Sequence, residues 1–386
     1  MFSDRTSWKL TRNRLTEVLE DLRSSGARLL DLTLSNPTHA GLRYDAPRIL
    51  QSLSSPQAMD YDPQPKGLLS ARAAVASYYH TEHETFLDPE HLFLTTSTSE
   101  GYSFVFRLLC NPGDELLVPK PSYPLFEFLA DLQDVKLVPY PLLYDHGWQM
   151  DFPSLQKAAT SRTRAVVVVH PNNPTGSFVH PGELDLLNNF SREHSLALIA
   201  DEVFLDYAHN RVARKSFTTN QDVLTFTLSG VSKISALPQM KLAWIVTSGP
   251  EADLEAAQAR LEIIADTYLS MNAPVQSATP ALLDQRKNIQ PQLLDRVLAN
   301  LAELDRQFAA QKTCQRLSVE GGWYAILRVP VTQTDEELAV DLLRRKFVLI
   351  HPGHFYDFPN DGYLVLSLIT PPDDLREGIQ RLLEMV

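Results

Sequence analysis

The chain of 386 residues carries 35 basic against 47 acidic side chains, a formal charge of −12, which argues against nucleic acid or an anionic membrane as its principal partner. With 44% hydrophobic and 21% charged residues it has the composition of an ordinary globular protein, long enough at about 100–200 residues per domain for two or three domains, or one large core with a smaller companion. Two cysteines, Cys110 and Cys314, exclude a disulfide framework, and neither lies in a Cys or His cluster of the kind that binds metal, so no metal is expected. The N-terminal stretch MFSDRTSWKL lacks a signal peptide's basic head and apolar run, and no segment reaches the roughly 18 apolar residues of a membrane span, so the expected location is cytoplasmic.

Taken in chain order, an opening helix is expected around Leu15–Leu22. From about residue 70 to 250, short β-branched runs alternate with helix-period stretches, the signal for a mostly parallel sheet wrapped by helices. The clearest strands are Glu115–Val118, Ala165–Val169, Leu196–Ala200, Leu224–Leu228 and Leu242–Thr247, with helices such as Ser99–Leu109, Gly182–Asn189 and Leu254–Ile264 between them. Beyond residue 280 a charged helical run, Gln292–Gln311, precedes short strands at Tyr324–Val329, Val348–His351 and Tyr363–Ile369 and a closing helix from Pro372. The fold class read from this pattern is α/β, with a smaller α+β unit. The expected division is a large domain over 45–275 and a small one combining 1–44 with 276–386.

Chemistry-bearing residues recur where strands end. Asp201 closes the run Leu196–Ala200 and Lys233 follows Leu228-Ser229-Gly230-Val231-Ser232, both at the edge where open α/β sheets bind ligands. Lys241 lies eight residues beyond Lys233, and a basic pair around a hydroxyl-lined turn can hold a phosphate. Thr95-Thr96-Ser97-Thr98-Ser99 opens a helix, so free backbone N–H groups, the helix dipole and hydroxyls form an anion cradle there. Asn172 and Asn173 are locked between prolines in His170-Pro171-Asn172-Asn173-Pro174-Thr175-Gly176, a rigid turn able to aim an amide. Each of these alone also reads as capping, a turn or a solvated charge.

Together with the aromatic turn Pro121-Ser122-Tyr123-Pro124, their order and spacing resemble the class I/II aminotransferases, pyridoxal-phosphate (PLP) enzymes of fold type I, from about Asp31 to the C-terminus. The resemblance implies a seven-stranded type of sheet and PLP as cofactor. It makes Lys233 the residue that bonds the cofactor aldehyde and moves the substrate proton, Asp201 the partner of the pyridinium nitrogen, and Asn173 the amide on ring O3′. Tyr123 would stack on the ring, and Ser97, Thr98, Ser99, Ser232 and Lys241 would hold the phosphate. Tyr61, in Tyr61-Asp62-Pro63-Gln64-Pro65-Lys66-Gly67, resembles a tyrosine that reaches the neighbouring subunit's phosphate, implying a homodimer of two-fold symmetry. Ser35 and Asn36 correspond to the segment that closes over substrate. The implied reaction passes an amino group between a small-molecule amino donor and a 2-oxo acid; a PLP lyase or decarboxylase on the same fold, and a non-catalytic binding protein, stay open.

Three positions depart from the family pattern. Phe204 replaces a tyrosine whose hydroxyl donates to O3′, and Lys241 stands where an arginine usually contacts the phosphate. Val365, in Tyr363-Leu364-Val365-Leu366-Ser367-Leu368, occupies the place of the arginine that clamps the substrate α-carboxylate. Arg43 or Lys66 would have to replace it, or the substrate is not a standard α-amino acid. His351-Pro352-Gly353-His354 looks like a metal pair but matches a turn that binds none, and Asp151 and Glu183 read as helix-start carboxylates.

Overall fold

A computed structural model describes residues 1–209 and 215–386. Its strands are β1 (Leu30–Asp31), β2 (Leu92–Thr95), β3 (Glu115–Lys120), β4 (Lys136–Tyr144), β5 (Trp148–Met150), β6 (Thr163–Val169), β7 (Ala197–Asp201), β8 (Thr225–Gly230) and β9 (Ala243–Ser248), then β10 (Gln315–Arg316), β11 (Tyr324–Arg328), β12 (Val348–Leu349), β13 (His351–Pro352) and β14 (Tyr363–Ser367). The large sheet runs β2-β9-β8-β7-β6-β3-β4-β5. Its centre from β4 to β8 is parallel, while β9 is antiparallel to both β8 and β2. The eighth strand, β5, is the hairpin return of β4. Pro139 and Pro141 interrupt β4, which disguises it as a strand in the sequence.

Both faces of this sheet are covered, so its central strands are apolar on successive residues. Ala165, Val167 and Val169 share a cluster with Tyr102 and Phe106 of helix Thr98–Leu109 and Leu261 of helix Glu251–Tyr268. Val166 and Val168 turn the other way, toward Leu187 and Phe190 of helix Pro181–His194. Each fully buried valine or leucine contributes about 1.5–3 kcal/mol, so the strands are fixed in register from both sides.

The smaller sheet is antiparallel, in the order β10-β11-β14-β13. The stretch expected as one strand, Val348–His351, divides at Ile350: β12 pairs in parallel with β1, and β13 pairs with β14. The N-terminal thread makes the same exchange, for Leu32 N–H donates to Leu349 O while Leu32 O accepts from Ser367 N–H at 2.7 Å. The opening helix, Arg14–Ser24, buries Leu15 and Val18 in the cluster that holds Leu338 and Leu342 of helix Asp335–Lys346 and Leu293, Val297 and Leu304 of the long helix Arg286–Ala309. Among the described residues, no helix is long and apolar enough to cross a membrane.

Candidate active site

Register brings the candidate residues together. Val169 pairs with Asp201, and Asp201 with Leu228, so the turns leaving β6, β7 and β8 emerge side by side. Asp201 ends β7; Lys233 lies in the one-turn helix Val231–Ile234 directly after β8. Tyr207 Oη donates to the Lys233 carbonyl at 2.6 Å and fixes that turn. The Lys233 ammonium lies 5.6 Å from the Phe204 ring centre and 5.1 Å from that of Trp323.

Burial shapes the charges here. It lifts the Asp201 carboxyl to about 6, against the pull of Val203 N–H and the Tyr102 hydroxyl, each donating at 3.1 Å, and of the Lys233 charge. Burial likewise depresses Lys233 from 10.5 to about 8, with Asp201 resisting. The lysine therefore holds a sizeable fraction of free amine near neutral pH, the form needed for attack on a carbonyl.

The Asn-Pro turn points inward. Asn172 Oδ1 accepts from Thr175 N–H at 3.3 Å and from its hydroxyl at 3.0 Å, which folds the turn on itself. Asn173 is buried, and its Oδ1 has no hydrogen-bond partner among the described residues. Ser97 caps helix Thr98–Leu109, its Oγ accepting from Glu100 N–H at 3.1 Å. The Glu100 carboxylate reaches back to that helix start, accepting from Thr96 N–H at 2.7 Å and Ser270 Oγ at 2.8 Å. Thr98, Ser99 and Ser232 stay partly open to solvent, and Lys241 is exposed.

Other sequence expectations fare differently. Tyr123 is 46% exposed and interacts electrostatically with Tyr324 and Tyr356. Phe204 is buried with its ring 6.2 Å from that of Tyr324, and Tyr324 is hydrogen-bonded to Ser35. Asn36 turns to a local task, its Oδ1 accepting from Thr38 N–H at 3.0 Å. Tyr61, 85% exposed, lines a surface cleft with Phe104, Leu269 and Met271. Lys66 is drawn to the Glu90 carbonyl at 2.9 Å and carboxylate at 3.3 Å, away from the cluster, and the Arg43 side chain is exposed. Asp151 caps helix Phe152–Ala158 and Glu183 completes the capping box of helix Pro181–His194. His351 and His354 part company, His351 meeting Tyr356 Oη while His354 is exposed; among the described residues, no group of three metal-ligating side chains converges. Tyr102, Tyr207, Trp323, Tyr324 and Tyr356 were not anticipated. Only Tyr102 had a local signal, standing one helical turn after Thr98.

A family model described as aminotransferase class I and II matches residues 28–382. The alanine aminotransferase of Mycobacterium tuberculosis is 29% identical over 378 residues, covering 94% of this chain and 86% of that protein. The glutamate-pyruvate aminotransferase AlaA of Escherichia coli strain K12 is 31% identical over 371 residues, covering 93% and 91%. Among solved structures, an alanine aminotransferase from Pyrococcus furiosus superposes with a TM-score of 0.90 at 22% identity, over 100% of this chain and 99% of that one, a likeness of fold. The chain belongs to the class I and II aminotransferase family. It is a PLP-dependent aminotransferase.

The residues present suit that cofactor. Asp201 and Lys233 act on each other electrostatically, and the turn leaving the adjacent β6 carries the Asn173 amide oxygen, buried with no hydrogen-bond partner among the described residues. Such groups are costly to bury unless a polar ligand completes them.

Proposed function

We propose that this cluster is the PLP site of the aminotransferase. Lys233 is the amine that bonds the cofactor's aldehyde carbon and afterwards carries a proton to and from the substrate Cα. Asp201 holds the ring nitrogen in its protonated form, Asn173 positions ring O3′, and Tyr123 covers the ring. Ser97, Thr98, Ser99, Ser232 and Lys241 bind the phosphate. PLP itself supplies an electron sink for the carbanion left when the substrate proton departs. The observation that carries the reading is the electrostatic pairing of Lys233, at about 8, with the partly buried acid Asp201.

The reading extends to substrate and assembly. Relatives named for alanine and for glutamate and pyruvate support a small amino-acid donor and a 2-oxo acid acceptor, with Ser35 at the substrate side. The exposed Tyr61 beside Leu269 and Met271 supports a homodimer in which Tyr61 completes the partner's phosphate site. We assign the large domain to 45–275, the small one to 1–44 with 276–386, and the location to the cytoplasm. Borohydride reduction of the PLP-loaded protein followed by peptide mass spectrometry is the test. The pyridoxyl label is expected on Lys233, and Lys233→Ala should abolish amino transfer; a label on another lysine overturns the assignment.

A further inference from the structure

Position 365 poses a problem that the reading above leaves open. Val365 is fully buried and paired on one side with Ile326 and on the other with His351. Directly paired residues of neighbouring strands project to the same face, so an imidazole stands beside the place the resemblance reserves for a guanidinium. His351 Nδ1 lies 3.1 Å from Tyr356 Oη. Burial raises the Tyr356 phenol well above its ordinary range, so the hydroxyl keeps its proton, and in the tautomer whose Nδ1 is bare it donates that proton there. The proton of a neutral imidazole then sits on Nε2, which has no hydrogen-bond partner among the described residues.

This pair is joined to the reacting lysine by direct contacts. The Tyr356 ring lies 6.5 Å from Tyr324, Tyr324 lies 6.2 Å from Phe204, and Phe204 lies 5.6 Å from the Lys233 ammonium. Tyr324 also bonds Ser35, and Tyr123 interacts electrostatically with Tyr324 and Tyr356. Arg328, on the neighbouring β11, is held elsewhere: it pairs with Tyr363 and stacks at 5.9 Å on that ring and 5.6 Å on Tyr144, at the exposed end of β11.

We propose that His351, oriented by Tyr356, binds the substrate carboxylate through Nε2–H in place of the missing arginine. This rests on the aminotransferase reading and names the specificity element of that site. A single imidazole donor grips a carboxylate less firmly than a bidentate guanidinium. Burial lowers the His351 pKa while Asp31, on the neighbouring β1, raises it; with the phenols of Tyr356, Tyr324 and Tyr123 neutral, Asp31 is the charged group acting on the ring. Carboxylate affinity is therefore expected to improve as pH falls toward His351 protonation, and affinity for an amine without a carboxylate is not.

The test uses the PLP-loaded protein, with loss of its visible band read against L-alanine and against isopropylamine, and calorimetric titration with propionate. His351→Phe is expected to raise the half-saturating L-alanine concentration at least tenfold, abolish propionate heat and leave isopropylamine within about twofold. Val365→Arg added to His351→Phe should restore L-alanine affinity. Unchanged L-alanine and propionate binding in His351→Phe overturns the proposal, as does a loss produced by Arg328→Ala instead. Should His351→Phe fail to fold, Tyr356→Phe carries the test: a severalfold loss for L-alanine alone supports the proposal, and no loss overturns it. Failure of every donor to bleach the wild-type band would refute the aminotransferase reading itself, a different outcome.

Discussion

The coupling between Lys233 and Asp201 can be measured in the cofactor-free protein. Burial takes the Lys233 amine from 10.5 to about 8, and a shift of about 2.5 units corresponds to roughly 3 kcal/mol of preference for the neutral form. Asp201 works against that shift, so removing its charge must lower the amine further. In Asp201→Asn the Lys233 amine should therefore titrate below its wild-type value of about 8. The assay is the pH dependence of Lys233 modification by a small neutral acylating reagent, followed on the Lys233 peptide by mass spectrometry. The depressed value also fixes a stability slope. Between about 8 and 10.5 the unfolded chain binds the extra proton, so stability of the cofactor-free protein rises with pH across that window. A wild-type midpoint at 10 or above, or an unchanged or raised midpoint in Asp201→Asn, refutes the reasoning.

Two further outcomes follow from residues already placed. If the cofactor sits as proposed, Phe204→Tyr supplies a hydroxyl to the ring oxygen, worth about 1.5–3 kcal/mol toward its charged form, so the pKa of the PLP-loaded protein's visible band should fall by about 1–2 units; spectrophotometric titration showing no change or a rise contradicts it. Gly176 has φ +68°, and a Cβ there would meet Val319 Cγ2 at 2.3 Å and Gly321 O at 2.4 Å, so Gly176→Ala should cost about 2–4 kcal/mol in urea unfolding, with a loss below about 0.5 kcal/mol refuting the packing argument.

What the sequence discloses depends on how locally a feature is encoded. Asp201, Lys233, Asn173 and the Ser97 helix start each follow a strand within a few residues, so strand ends and turn chemistry point to them. The partners that tune them come from far along the chain: Tyr102 reaches Asp201 across 99 residues, and Trp323 meets the Lys233 ammonium from the smaller sheet's approach. No periodicity encodes such meetings. β4 is hidden by its prolines, and the break at Ile350 is invisible because all of Val348–Ile350 is apolar while the choice of partner is made by β1 and β14. The bland reading of His351 as part of a turn came from its neighbours in sequence, whereas its pairing with Val365 is a fact of register.

The exchange of partners around Ile350 has a mechanical consequence. Residues 30–32 are stitched to β12 on one side and to the end of β14 on the other, and four residues later the same thread reaches Asn36 and the Ser35 that touches Tyr324. Ser35 and the strand that carries Val365 are thus joined through one short run of backbone. Loop redesign at either end must retune both, because this backbone seam gives them a common anchor.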